Sequence, residues 1–169
     1  MTTTAATPDP TMEAIGAAVG IGRAGDVESA RRDLLAIWEQ IGVAGDPLHR
    51  CTLAHYLADL YEDPAESLVW DVRALDAADA LTDDRAQQHH AGLQVAGFYP
   101  SLHLNLADNF RRLGAFHAAA DHIDDAEQHT AALADGPYGD TIRTAIHEVK
   151  QAIANRDTAR RASAPGPTR

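Results

Sequence analysis

The chain has 169 residues, a net charge of −11, 45% hydrophobic residues and 23% charged ones. It therefore has material for one core and is not a polar, disordered polymer. Alanine makes up about a fifth of it and aromatic residues only 5%; alanine costs least in a helix, whereas strands favour β-branched and aromatic side chains, so an all-β fold is excluded and an all-α one expected.

Charge is unevenly spread. Residues 156–169 hold four Arg and one Asp, a net +3 that leaves −14 on the rest. A surface of that sign repels nucleic-acid phosphates and anionic lipid, so neither nucleic acid nor membrane is an expected partner. A basic or mixed-charge protein or peptide is. Cys51 is the single cysteine, which rules out an intramolecular disulfide and a multi-cysteine zinc site and fits a reducing, cytoplasmic setting. The first residues, MTTTAATPDPTM, lack the basic and apolar regions of a signal peptide, and no apolar run is long enough to span a membrane.

In chain order, residues 1–10 read as a disordered lead, 11–155 as one helical domain and 156–169 as a disordered basic tail. Helical periodicity predicts helices near 11–24, 27–41, 47–61, 64–79, 83–97, 100–113, 116–133 and 138–155, about eight in all, the last capping the array. The breaks have local causes. Asp26 follows Gly25 as an N-cap, and Pro47 follows Gly45-Asp46 as a first-turn proline. Asp63-Pro64-Ala65-Glu66 reads as a capping box, and Thr82 as another cap. Gly97 with Pro100, Gly114, and Gly136-Pro137 separate the later helices.

The segment from Leu102 to Ala126 sets Leu106, Ala107, Phe110, Gly114, Ala119 and Ala126 at the spacing of a helix–turn–helix repeat. Ala17, Ala18, Ile21, Gly25, Ala30 and Leu34 fill the same frame earlier, and so do Leu53, Ala54, Leu57, Ser67 and Ala74 with one extra residue in the turn. This pattern resembles the tetratricopeptide (TPR) family, in a degenerate form of about three repeats. The family's early tryptophan is absent at Ala14, Arg50 and His103, and no proline closes the repeat after Ala126. The turn-helix small residues Ala30, Ser67 and Ala119 are spaced by 37 and 52 residues, which places an additional helix at 83–97. The resemblance implies a helical solenoid with small residues at its helix crossings and a concave groove that takes a peptide or helix of a partner.

No nucleophile elbow, phosphate loop, dinucleotide fingerprint or HExxH is present, so no catalytic residue, cofactor or metal site is expected. Nine histidines stand out. Cys51 and His55 share a helix face at i, i+4 and lie, in the repeat frame, on the groove-lining helix; they suit a soft divalent ion, or else Cys51 simply packs as a small apolar residue. His89 and His90 are adjacent and cannot chelate together. His117, His122 and His129 sit among Asp121, Asp124, Asp125 and Glu127; they read as a solvated face, with metal capture as the alternative. Trp38, Trp70, Phe98 and Tyr99 read as packing anchors.

The repeat frame aims Leu104, Asp108 and Arg111 at the groove, with Asn105 beside them; Asn and Arg can hold a peptide backbone or carboxylate. Ile15 and Val19 occupy the equivalent positions of the first repeat, so the family's full carboxylate clamp is not present. The leading expectation is a scaffold or adaptor module binding a peptide through Asp108, Arg111, Asn105, His55, Cys51 and Leu104, with Arg111→Ala weakening that binding and leaving the melt unchanged. The alternatives are a small-molecule- or metal-handling protein, an enzyme among the options, using the groove His, Cys and Asp residues, and a homo-oligomer subunit.

Overall fold

Aspartates and prolines open the helices. In the computed structural model, which describes residues 8–166, Asp9, Asp26, Asp46 and Asp63 each accept a backbone N–H of the first turn at 2.7–3.1 Å. Thr82 does the same for Arg85 N–H at 3.3 Å, and Pro10, Pro47, Pro64, Pro100 and Pro137 occupy first-turn positions where no amide hydrogen is missed. The described residues form α1 (Pro10–Arg23), α2 (Val27–Ile41), α3 (Pro47–Ala58), α4 (Pro64–Asp79), α5 (Asp83–His89), α6 (Tyr99–Arg112), α7 (Phe116–Gln128) and α8 (Pro137–Ala154), with no strand among them. The protein is all-α, as its composition requires. No helix among the described residues is long and apolar enough to cross a membrane.

Three elements end earlier than their periodicity predicts; α3 stops at Ala58 rather than near 61, and the other two fall further short. α5 stops at His89 rather than near 97. The Asp83 carboxylate accepts the Val95 N–H at 2.8 Å, and Val95 is buried with Leu48, Leu81 and Ala86; burial of that side chain overrides continuation of the helix. α7 stops at Gln128 rather than 133. There the His129 Nδ1–H donates to the Asp125 carbonyl at 2.8 Å and the Thr130 hydroxyl to the Glu127 carbonyl at 2.7 Å, so side chains take acceptors at the point where the helix stops.

The helices pack as successive hairpins, α1 with α2, α3 with α4, and α6 with α7. α3 also touches both helices of the first hairpin, α4 packs on α6, and α8 covers α6 and α7. The first two hairpins share a core built around Ile15, Leu34, Leu53, Leu57 and Trp70; Leu104, Ile123, Ile146 and Val149 form the second, between α6, α7 and α8. Trp38 and Trp70 meet edge to face at 5.2 Å, with the Arg73 guanidinium 4.3 Å from the Trp70 ring, so these tryptophans anchor α2 to α4.

The small positions are buried: Ala30, Ser67, Ala107 and Ala119. A Cβ on Gly22 would come within 3.1 Å of the Ala30 methyl, which measures how closely α1 and α2 cross. Ala119 is equally closed at the α6–α7 crossing, so Ala119→Leu is expected to lower stability by about 1–3 kcal/mol through overpacking. A thermal melt of that variant superimposing on that of the parent would contradict the close crossing.

Of the lead expected at 1–10, residues 1–7 lie outside the described residues. Asp9 is anchored: His49 Nε2–H donates to it at 2.8 Å and Arg85 at 3.2 Å, while Arg85 also donates to Asp46 at 2.7 Å. Desolvation pulls the Asp9 pKa up, but these donors and the Met12 amide outweigh it and hold the carboxyl at about 2. This network clips the starts of α1, α3 and α5 together.

The residues after α8 follow a defined course as far as 166. Arg156 adopts a left-handed conformation (φ 51°), and the Asp157 N–H donates back to the Ala152 carbonyl at 2.9 Å, a C-terminal cap that turns the chain off the helix axis. The segment then crosses the C-terminal end of α6 and reaches α3, where Gly166 lies so close to the Asp59 carbonyl that a Cβ would overlap it. Residues 167–169, the end of the tail expected at 156–169, lie outside the described residues.

Candidate functional site

α6 is the central helix, and its surroundings settle where the expected groove residues lie. α4 covers one side and α7 and α8 the other, so buried residues run all round it, from Leu102 and His103 through Leu106 to Asn109 and Arg111. Leu104 does not face a groove. It is a core residue packed with Ile123, Ile146 and Val149, because α8 lies over the face that a bare repeat would leave open. Arg111 is not exposed either; its relative accessibility is 0%.

Arg111 instead organises a charged junction. Its Nε and one terminal nitrogen donate to Asp108 Oδ1 at 2.9 and 2.6 Å, and the other terminal nitrogen donates to the Asp157 carbonyl at 2.5 Å. Asp108 presents its second oxygen to Arg161 Nε at 3.5 Å. Arg161, only 10% exposed, also donates to Glu148 of α8 at 2.8 Å, and the Ser163 hydroxyl donates to the same carboxylate oxygen at 2.7 Å. Next to it Arg112 donates to the Glu62 carbonyl at 2.8 Å, and burial pulls the Arg112 guanidinium below its ordinary range. The result is a seat for a non-helical segment that turns at 161–164, where the Ala164 N–H donates to the Arg161 carbonyl at 3.2 Å: acidic oxygens take an arginine, and a fixed guanidinium takes a main-chain carbonyl.

Asn105 belongs to a second polar seam, between α4 and α6. Its amide donates to Asp71 Oδ1 at 3.4 Å, while Asn109 donates to Asp71 Oδ2 at 2.7 Å and to the Ser67 hydroxyl at 3.0 Å. Asp71 is fully enclosed. Burial first, then the nearby Asp59 carboxylate, push its pKa well up, and the amide and hydroxyl donors restore only part. Asp59 is also raised by burial, opposed by His55 and Arg23.

Cys51 is buried in the first core, and burial pushes its thiol up to about 12, so it stays protonated at neutral pH. His55 beside it is half-buried, with Nδ1 unbonded among the described residues. His89 is half-buried, and the exposed His90 accepts the Gly92 N–H on its Nδ1 at 3.2 Å.

Asp108 and Arg111 are thus together, as their spacing requires, whereas Asn105, Leu104, Cys51 and His55 serve elsewhere. Sequence reading missed Asp71, although a signal existed: it lies within the stripe Ser67, Trp70, Ala74, Ala77 and Ala78, all buried, and a carboxylate inside such a stripe must find donors. Nothing in the sequence marks Arg161, Glu148 or the Asp157 carbonyl. Compared with known proteins, no family model, no curated protein and no solved structure matches this chain.

Proposed function

We propose that this chain is a TPR-like interaction module of the cytoplasm that holds a basic or mixed-charge peptide segment of a partner protein across the C-terminal ends of α3, α6 and α8. One observation carries the reading: the chain's own segment 157–166 lies along that path, with Arg161 between Asp108 and Glu148 and its main chain met by Arg111. A surface that accommodates an arginine-bearing, non-helical segment in cis has the chemistry to take one in trans. The charge of −14 outside residues 156–169 favours the same class of partner. An adjoining cleft of 920 Å³ mixes both signs, with Glu28, Glu66, Arg31, Arg112 and Arg160 on its walls. Succession of hairpins and the buried small residues Ala30, Ser67 and Ala119 support the repeat relationship.

In this reading the working residues are Asp108 and Glu148, which take the partner's cation, and Arg111, which positions Asp108 from the interior. A labelled peptide of residues 156–166 is the probe. It is expected to bind the full chain carrying Arg161→Ala more tightly than the parent, whose own segment competes for the seat. Adding Asp108→Ala should abolish that gain, and raising the salt should weaken binding. Equal binding to parent and Arg161→Ala chains, or an equal loss from the exposed control Asp124→Ala, would refute the proposal.

A further inference from the structure

Three of the nine histidines, His103, His122 and His129, gather on the side of α6 that faces α7, although in sequence the latter two read as part of a solvated acidic face. His103 on α6 and His122 on α7 turn their Nδ1 atoms toward each other at 3.1 Å. Asp125, one turn beyond His122, brings a carboxylate oxygen to 3.8 Å from the His103 nitrogen. One ligand atom from each of the three residues lies within 4.8 Å of the other two. By contrast His117, on the same helix, is 98% exposed and has only a distant partner in Asp121 at 3.9 Å.

The geometry points to a divalent transition-metal site between α6 and α7, with His103, His122 and Asp125 as its ligands and zinc as its natural occupant.

Two facing imidazole nitrogens need something positive between them, because two bare lone pairs at that distance repel. A single proton shared as N–H···N meets the need in the metal-free chain. A metal ion meets it better, since it accepts both lone pairs and recruits the carboxylate. Two nitrogens each about 2.05 Å from a tetrahedral ion stand about 3.3 Å apart, close to the separation present. Imidazole with carboxylate is a donor set that suits zinc, and three protein ligands leave one position for water or another ligand.

The surroundings hold the donors in place. The His122 ring stacks on Phe110 at 5.4 Å with an interplanar angle of 4°. His103 packs against Tyr99 at 6.0 Å and His129 at 5.8 Å, two rings that also meet each other at 5.2 Å, and His129 is itself fixed by its bond to the Asp125 carbonyl. Supporting groups of this kind fix ring orientation at metal sites. Burial disfavours the protonated form of both His103 and His122. Asp125 is 46% exposed, so it can swing inward to close the site, and the acidic run Asp121, Asp124, Asp125 and Glu127 attracts cations to this edge.

The full chain, stripped with a chelator and titrated with zinc chloride by calorimetry near neutral pH, is expected to bind one equivalent. Asp125→Ala and His122→Ala should each weaken that binding by about tenfold or more, the scale at which even supporting residues act at metal sites; His117→Ala should leave it unchanged. Because His122 is partly buried, circular dichroism accompanies each titration, and the more exposed Asp125 serves as the decisive variant. Cobalt(II) added to the parent should give the visible ligand-field bands of a four-coordinate ion, altered in Asp125→Ala. Absence of stoichiometric zinc binding, or parental affinity and an unchanged cobalt spectrum in Asp125→Ala, would overturn the assignment.

Discussion

Arg111→Ala is expected to destabilise the chain by about 3–5 kcal/mol, the cost of removing one partner from a buried ion pair. The side chain is wholly enclosed and makes three bonds, two to Asp108 and one to the Asp157 carbonyl. Truncation leaves the half-buried Asp108 carboxylate with only the long contact from Arg161 at 3.5 Å, and leaves the carbonyl without this donor. It also opens a void the size of an arginine between α6 and the segment after α8. Arg111→Lys recovers little, because an ammonium cannot reproduce the planar fork that serves both acceptors. Equilibrium urea unfolding checks this. A loss of only about 0–1 kcal/mol, the worth of an exposed ion pair, would mean that Arg111 is a surface residue after all, as its sequence position suggested.

Asn109→Ala is expected to destabilise by about 2–3 kcal/mol, the scale of a hydrogen bond to a charged group, and the deficit should depend on pH. Asn109 is the nearest donor to Asp71, at 2.7 Å. The folded-state pKa of Asp71 is raised above 3.8, so the folded chain holds this proton more tightly than the unfolded one. The stability linked to it is fully present below pH 3.8 and is lost as pH rises through the raised value. Without Asn109 the ionised form loses its best donor, so the deficit widens as pH rises through that range and narrows in acid, where Asp71 is neutral. Asp71→Asn should remove this part of the pH dependence. Unfolding curves from acid to neutral pH decide the matter; a deficit independent of pH would show that Asn109 acts by packing alone.

These two variants separate the seams around α6. Arg111 serves the seat for the segment after α8, and its loss should also abolish the gain in peptide binding that Arg161→Ala gives. Asn109 joins α4 to α6 and should lower stability without changing which residues the segment meets. The repeat frame places Asn105 beside the groove for its amide, and the amide is indeed used, but its acceptor is Asp71 of the same chain.

By itself the sequence determined what depends on neighbours within a turn or two. The caps at Asp26, Asp46, Asp63 and Thr82, the first-turn prolines, the breaks at Gly25 and Gly114, and hence the starts of most helices, rest on bonds between residues two or three apart. So does the burial of Ala30, Ser67, Ala107 and Ala119, since the apolar stripe of each helix identifies its inner face. Tertiary structure alone decided the fate of polar residues on α6. The stripe argument assumes one buried face, but α6 is enclosed by α4, α7 and α8 together, so residues opposite its apolar stripe are buried too. The bonds that satisfy them span 38 residues from Asn109 to Asp71, 46 from Arg111 to Asp157 and 53 from Asp108 to Arg161. The meeting of His103 with His122 spans 19 and crosses a helix turn. No local spacing encodes such distances; they are fixed by how the hairpins stack and by the turn at Arg156 that lays the last segment across α6.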